Sequence, residues 1–553
     1  MVEKQIPIGK LLQDAGYINQ EQIDVALNVQ KSERLLLGEI LQKLDFVTGT
    51  EIAISVAKQY GYEYIDLDKK YISNEALSYL PFEMAQAKNI LPIGLEYNEL
   101  VVAVDSVTDY DMIDYIKRTV SHPVKLVVAD QNKIKQKIEL KYYQYHNPID
   151  LQIQNAVDNF LAGDEVDVVE LLKLFINDAI KDDATDIHFT PDINVLYVFY
   201  RIDGVLHLSY TLPKTAMQQL FSRVKILSKM DISEQRLPQD GGFSHEFVGT
   251  KFDLRVSTIP TDHGENIVMR LLSSSSFGFD LISLGFDKEE INTLKKLFNK
   301  PYGIILVTGP TGSGKTTTLY SMLRHIDFIQ KNIITVEDPI EYRFSFIRQT
   351  EVNTKSGYTF QNAIRHFMRQ DPDAMLVGEM RDEETAELAL RAAITGHLVL
   401  TTLHTNDAAG AIPRLLDLGI KDYLISSSVL SVLAQRLVRK LCVACKEVVT
   451  MNRQELTAEG IKDEWLEPNI NEFYISKEVG CDQCKKSGYK GREAVLEILE
   501  ISDDIKTMIN DNRSPLEIFN KAQENGMNSL KQSALKKVLQ GKTSLSEIKR
   551  VIL

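Results

Sequence analysis

The chain has 553 residues, with 63 Lys plus Arg against 77 Asp plus Glu, a formal charge of −14 and four cysteines. At roughly 150 residues per domain this length predicts three or four domains, and 44% hydrophobic with 25% charged residues excludes general disorder. The acidic balance weighs against bulk electrostatic binding to nucleic acid or anionic lipid. Neither an apolar run of roughly 18 residues nor a basic-then-apolar leader at Met1-Val2-Glu3-Lys4-Gln5 is present, so a cytoplasmic protein without disulfides is expected.

In chain order, Ile8-Gly9-Lys10-Leu11-Leu12 returns as Leu37-Gly38-Glu39-Ile40-Leu41, each copy running into a helical pattern, so two similar helix pairs are expected. Between about 60 and 145, the apolar runs 100–104 and 124–128 alternate with polar helical stretches and predict a small α/β unit. Residues 1–150 are therefore read as an N-terminal docking or regulatory domain, and the polar stretch after His146-Asn147-Pro148, over 151–165, as a linker. Val169, Leu171, Leu172, Leu174, Phe175 and Ile176 then predict an amphipathic helix. Two β-rich runs around Asp203-Gly204 predict a hairpin, and 252–257 and 266–271 read as further strands of a second α+β domain over 166–278. From 279 to 553 short apolar strands, loops and helices repeat in the grammar of a mostly parallel sheet.

The apolar strand 304–307 leads into Gly309-Pro310-Thr311-Gly312-Ser313-Gly314-Lys315-Thr316 and a helix opening at Thr317. This is G-x-x-x-x-G-K-[ST] in a strand-to-helix context. Glycines let backbone N–H groups crowd around phosphate oxygens, the helix N-terminus adds its positive end, Lys315 reaches the β and γ phosphates, and the Thr316 hydroxyl ligates Mg²⁺. A Gly-rich turn with a solvated lysine is the competing reading. Such a site needs carboxylates for metal and water, and two strands end in acids: Glu337 with Asp338, and Glu379. Acids at C-terminal strand ends lie beside the ligand crevice of an open α/β sheet. A third strand has His397 before it and His404 after it, and the helix before it, 383–394, has Asp382 as its expected N-cap and Gly396 beyond its end.

Cys442-x-x-Cys445 and Cys481-x-x-Cys484 are separated by 35 residues. Two turns of two thiolates each make a tetrahedral Cys₄ shell suited to Zn²⁺, with a sizeable excursion between the knuckles. A thioredoxin-like redox pair and unrelated core cysteines are the alternatives. The basic residues nearby (Arg436, Arg439, Lys440, Lys446, Lys485, Lys486) suit ordinary solvation, a membrane platform, acidic lipid headgroups or nucleic acid.

These segments, in this order and spacing over nearly the whole chain, resemble the secretion ATPase superfamily, specifically the assembly ATPases of type II secretion and type IV pili. The resemblance implies a RecA-like P-loop motor domain with a tetracysteine zinc insertion at about 436–495, preceded by a PAS-like α+β domain. It makes Gly309 to Thr316 the Walker A motif, puts Glu337 and Asp338 in the Asp box, ends Walker B at Glu379 and sets His397 and His404 in the His box. Glu337 is then expected to orient or deprotonate the attacking water, Glu379 to support Mg²⁺, and the histidines to couple nucleotide state to neighbouring elements. The match continues through Arg236-Leu237-Pro238-Gln239-Asp240-Gly241, and implies that Arg255 and Arg270 touch the phosphates while Arg365, Arg369 and Arg381 lie near the nucleotide or a subunit interface.

The N-terminal repeat resembles domains that bind cyclic di-GMP through motifs beginning Arg-Leu-Gly. Here Pro7-Ile8-Gly9 and Leu36-Leu37-Gly38 lack the arginine, so the fold is expected without dinucleotide binding, in a docking role toward a membrane-bound partner. The expectation as a whole is a homo-hexameric ATP hydrolase, peripheral at the inner membrane, working on a platform protein to assemble a pilus or pseudopilus, with ATP, Mg²⁺ and Zn²⁺ and no nucleic acid. A nucleic-acid-translocating P-loop ATPase with a zinc ribbon is the second reading, and a nucleotide-gated binding module the third.

Overall fold

The repeat at the N-terminus folds as two helix pairs, Ile8–Asp14 with Gln20–Gln30 and Leu37–Lys43 with Gly49–Tyr60. The second helix of each pair opens on a reciprocal capping box, Asn19 with Gln22 and Thr48 with Glu51. The computed structural model describes residues 6–68, 70–162, 164, 166–273 and 281–552, in two units, Met1–Ser275 and Ser276–Leu553.

After the helix pairs, strands Ile90–Glu96, Glu99–Val104 and Val124–Val128 form a sheet, the first two antiparallel and the last two parallel. The second and third coincide with the expected apolar runs. The first is hidden in the sequence because Pro92 and Gly94 break its pattern, and its register shifts between those residues.

The expected linker is a correction. Residues Ile149–Ala162 form a helix whose Ile149, Ile153 and Val157 are at most 5% exposed in the core of the next domain. Their i, i+4, i+8 spacing makes one apolar stripe along the helix, and the polar residues that suggest a linker, His146-Asn147 and Gly163-Asp164-Glu165, only flank it.

The following domain is a six-stranded antiparallel sheet in the order Val205–Pro213, Val195–Ile202, Ala184–Pro191, Gly264–Ser273, Thr250–Thr261, Gln239–Phe247. Helices Val168–Lys181 and Ala216–Leu227 share one buried core with its inward residues, among them Phe189, Tyr200 and Met269. The expected hairpin turns at Asp203 and Gly204, both with positive φ (50° and 84°), as a tight turn between right-twisted strands requires.

The second unit is built on a seven-stranded sheet in the order Arg348–Glu351, Ile333–Glu337, Ala374–Val377, Leu398–Leu403, Gly303–Thr308, Val429–Leu441, Tyr489–Glu500. All neighbours are parallel except the last pair. The inner strands Ile333–Glu337, Ala374–Val377, Leu398–Leu403 and Gly303–Thr308 are buried along their whole length, as strands of a covered parallel sheet are, and the edge strand Arg348–Glu351 is not. Helix Glu383–Ile394 starts at Asp382, whose side chain accepts from the Thr385 N–H, and ends before Gly396 (φ 110°), as read from the sequence.

Truncating Ile153 to Ala, at 0% exposed, should lower the stability of the first unit by about 2–4 kcal/mol in chemical denaturation. A loss below about 0.5 kcal/mol would return 149–162 to the status of a linker.

Candidate functional site

Strand Gly303–Thr308 is buried along its whole length between Leu398–Leu403 and Val429–Leu441. It delivers Gly309 to Gly314, and helix Lys315–Arg324 begins at once, with Gly314 (φ 84°) as an N-cap and no side-chain cap bond. The first-turn N–H groups therefore remain available beside the positive end of the helix. Lys315 Nζ donates to the carbonyls of Gly309 (2.9 Å) and Pro310 (3.1 Å), which folds the ammonium over the loop. Burial lowers its pKa from the ordinary lysine value, with Glu379 opposing and Arg436 reinforcing the shift. Thr316 and Thr317 are half-buried in the first turn. Ser313 is 3% exposed and its Oγ has no partner. A buried hydroxyl of that kind, with free N–H groups beside it, fits phosphate oxygens.

Glu337 and Glu379 both stand at the C-terminal edge of the parallel sheet, as expected, but in different surroundings. Glu337 is 4% exposed. Its Oε1 accepts from Thr335 Oγ1 (2.5 Å) and Gln349 Nε2 (3.2 Å), and its Oε2 accepts from the hydroxyl of Tyr320. Its strand lies three places from the P-loop strand, about 14 Å at the usual strand spacing. Tyr320, on the P-loop helix, bridges that gap. The same phenol oxygen accepts from the Glu341 N–H (3.2 Å), and burial, then the Glu337 carboxylate, push the phenol well above its ordinary pKa, so it stays a neutral donor. Asp338 follows on the exposed side.

Glu379 is the hub of the second cluster. Arg381 Nη2 lies 2.6 Å from its Oε1 and His404 Nε2 3.7 Å from its Oε2. Its side chain is 15% exposed, against 70% for Arg381 and 51% for His404. His404 follows the strand next to the P-loop strand. The Thr308 hydroxyl meets Thr405 Oγ1 at 2.7 Å, tying the two strand ends together.

His397 is not brought to this cluster. It precedes the same strand and so stands at the opposite edge of the sheet, where its Nδ1 lies 2.8 Å from the Ala392 carbonyl at the end of helix Glu383–Ile394. With parallel register pairing Gly303 to Leu398 and Thr308 to Leu403, the two histidines are separated by the full strand, roughly 20 Å at 3.3 Å per residue. Arg365 pairs with Glu384, and Arg369 Nη2 lies 3.1 Å from His366 Nδ1; both are exposed and outside the Glu379 cluster. Arg255 and Arg270 belong to the other unit. They are register partners on adjacent strands, and Arg270 is held by Asp186 at 2.9 Å. The sequence reading missed Tyr320, Gln435 and Arg436 as site residues. The available signal for the last two was Gln435-Arg436 interrupting the apolar run between Val432-Leu433-Ala434 and Leu437-Val438.

The cysteines converge. Sγ separations are 3.9 Å for Cys442–Cys481, 3.8 Å for Cys445–Cys484 and 3.8 Å for Cys481–Cys484, and all four sulfurs lie within 4.8 Å of one another. Thiolates about 2.3 Å from a central ion in a regular tetrahedron have edges of about 3.8 Å. Backbone N–H groups of Gly480 and Gly488 donate to Cys445 and Cys484 sulfur at 3.3 and 3.2 Å. The expected excursion is the hairpin of Glu447–Asn452 and Glu472–Lys477, with the short helix Arg453–Ala458 between its strands.

Residues 162–550 match the family described as Type II/IV secretion system protein, and 60–146 match the MshEN domain. The chain is 37% identical to the Type IV pilus assembly ATPase PilB of Myxococcus xanthus, over 98% of both chains. It is 43% identical to the Type II secretion system protein E of Aeromonas hydrophila, over 72% of this chain and 78% of that one. Among solved structures the ATPase DotB of Yersinia pseudotuberculosis, at 21% identity, covers 69% of this chain and 92% of its own with a TM-score of 0.51, a likeness of fold.

Replacing Glu337 by Ala leaves three buried donors without their acceptor. The second unit should lose about 2–4 kcal/mol in denaturant unfolding, one to three per orphaned group less what water recovers. A change within about 0.5 kcal/mol would mean the carboxylate does not organise this end of the sheet.

Proposed function

Because the chain belongs to the type II/IV secretion system protein family, we propose that it is the ATP-hydrolysing motor that drives assembly of a type IV pilus or a type II secretion pseudopilus. The observation that carries this is the meeting, at one edge of the parallel sheet, of an uncapped P-loop helix with the Glu337 and Glu379 carboxylates. The full-length similarity is to pilus-assembly and secretion ATPases, and it does not favour the nucleic-acid-translocating alternative.

In this reading Gly309, Pro310, Thr311, Gly312, Ser313 and Gly314 wrap the β and γ phosphates of ATP, and Lys315 leaves its two loop carbonyls to meet them. Thr316, with Thr317 beside it, and Glu379 would hold Mg²⁺, which offsets charge on the phosphates. Glu337, kept in place by Tyr320, Thr335 and Gln349, orients the attacking water and takes its proton. Asp338 lines the open side of that loop. Glu379 holds Arg381 and His404 close to the phosphates, and Arg365 and Arg369, exposed on the same unit, suit an adjoining subunit. Arg255 and Arg270, on the PAS-like domain, would bring two further guanidinium groups to the nucleotide. His397 serves the fold by bonding to a helix end rather than the chemistry.

The motor would work as a homo-hexamer at the cytoplasmic face of the inner membrane, acting on a platform protein. Among the described residues no helix is long and apolar enough to cross a membrane. The four sulfurs fit Zn²⁺, which would fix the two knuckles against the motor domain. The N-terminal α/β domain, of which residues 60–146 match the MshEN domain, would dock a membrane-bound partner.

Glu337→Gln should lower kcat by about 10²–10⁴-fold while Mg·ATP still binds; hydrolysis at the normal rate would sink the assignment of the base. Elemental analysis should return one zinc per chain, and Cys442→Ser should release it; unchanged zinc content would refute the tetrathiolate site. Stimulation of turnover by the cytoplasmic part of a platform protein, and none by DNA, is expected in a coupled ATPase assay; the reverse would favour a nucleic-acid motor.

A further inference from the structure

Strand Val429–Leu441 runs beside the P-loop strand and is almost entirely apolar where the two pair, with Val432, Leu433 and Ala434 at 0% exposed. Gln435 comes next and is as deeply buried, at 2%. Its amide is used at both ends. Oε1 accepts from the Thr318 hydroxyl and Nε2 donates to the Ser313 carbonyl, each at 2.7 Å. One partner lies in the phosphate loop and the other in the first turn of its helix, 122 and 117 residues away in sequence. The strand backbone is fixed in turn, since Arg436 Nη1 donates to the Gln435 carbonyl at 3.2 Å and its Nη2 to the Asn406 carbonyl at 2.8 Å.

The loop is also packed against this residue. A Cβ on Gly309 would lie 2.5 Å from the Gln435 carbonyl oxygen, and a Cβ on Gly314 2.9 Å from Nε2. Two loop glycines are thus required by Gln435 as well as by their positive φ. Peptide geometry gives the contact a consequence. In a planar trans peptide the C=O and the following N–H point in opposite directions. Holding the Ser313 carbonyl against Gln435 therefore turns the Gly314 N–H away from the strand, to the side where a phosphate would sit.

We infer that Gln435 is a positioning residue of the nucleotide site: through Ser313 and Thr318 it sets the P-loop so that its N–H groups converge before nucleotide arrives. The inference rests on the P-loop being the nucleotide site. It does not depend on the roles given to Glu337, Glu379 or the arginines, and no contact between Gln435 and nucleotide is required.

The test uses the full-length protein and three variants, with Mg·ADP titrated by calorimetry and steady-state ATPase measured in parallel. Lys315→Ala should abolish Mg·ADP binding; wild-type binding there would remove the nucleotide-site reading itself. Gln435→Met keeps length and volume but neither hydrogen bond. It should raise the Mg·ADP Kd and the ATP KM about ten-fold, as loss of two buried hydrogen bonds to a binding loop would, with kcat at saturation changed less than about two-fold when measured below the variant's lowered melting temperature. Wild-type Kd in Gln435→Met, or a fall in kcat with Kd unchanged, overturns the inference while leaving the Lys315 result intact. Should Gln435→Met not fold, Gln435→Glu decides: it still accepts from Thr318 but sets an acceptor against the Ser313 carbonyl. Its Kd should rise at least ten-fold, and an unchanged Kd overturns the inference.

Discussion

A loop that binds phosphate has to keep several backbone N–H groups converged and unpaired, and no such arrangement is stable on its own. Everything around residues 309–314 in this protein answers that constraint. The strand that delivers the loop is buried inside the seven-stranded sheet, fifth in its order, and held in register by parallel neighbours on both sides. One neighbour leads into Thr405, two residues past its end, which ties to Thr308, and the other supplies Gln435, whose amide donates to the Ser313 carbonyl. The helix that follows has no side-chain cap, so its first-turn donors stay directed at the loop. Three separate stretches of chain thus pay conformational entropy to keep one turn in a shape that only a ligand completes.

The two carboxylates show how one sheet edge gives similar groups different work. Glu337 is surrounded by donors from its own strand, the neighbouring edge strand and the P-loop helix. A carboxylate accepting from three groups is held in one orientation, which suits the water-orienting role proposed for it. Glu379 instead meets partners that are themselves exposed, the Arg381 guanidinium and the His404 imidazole. Those contacts exchange readily with solvent and ions, which suits the metal-supporting role proposed for it. Tyr320 links the two regions, because its helix starts at the phosphate loop and its hydroxyl ends at Glu337 and the Glu341 N–H.

Features encoded by local chemistry were legible in the sequence. The P-loop, the Asp203-Gly204 turn and the helix from Asp382 to Gly396 each rest on backbone conformations or caps that a few adjacent residues dictate, and each lies where it was read. What escaped the reading depends on partners far along the chain. Helix Ile149–Ala162 is flanked by polar residues on both sides, and its apolar stripe matters only because the following domain offers a core to receive it. Strand Ile90–Glu96 carries Pro92 and Gly94, which local rules assign to a loop, and is fixed by pairing with Glu99–Val104. His397 and His404 look equivalent as residues flanking one strand, but a parallel strand has a ligand end and a far end, and only the topology says which is which. Gln435 and Tyr320 are ordinary residues until the fold sets them against the loop and Glu337.

The strand that braces the P-loop also leads to the cysteines. Val429–Leu441 pairs with the P-loop strand through its first half, from Val429 to Ala434, and with Tyr489–Glu500 along most of its length. The Leu441 N–H is then taken by the Lys542 carbonyl and the Cys442 N–H by the Gly488 carbonyl. Arg439, between the two sites, is held by the fully buried Glu547 through its backbone N–H and its guanidinium, and stacks on the Tyr489 ring at 4.0 Å. Beyond Ala434 the strand keeps its ladder to Tyr489–Glu500, and sliding it along its axis would break those hydrogen bonds together. The first knuckle of the tetracysteine cluster is therefore anchored to the same rigid element that shapes the phosphate loop. The second knuckle, at Cys481 and Cys484, precedes the antiparallel partner strand Tyr489–Glu500, so the shell formed by the four sulfurs closes the open end of that two-stranded brace.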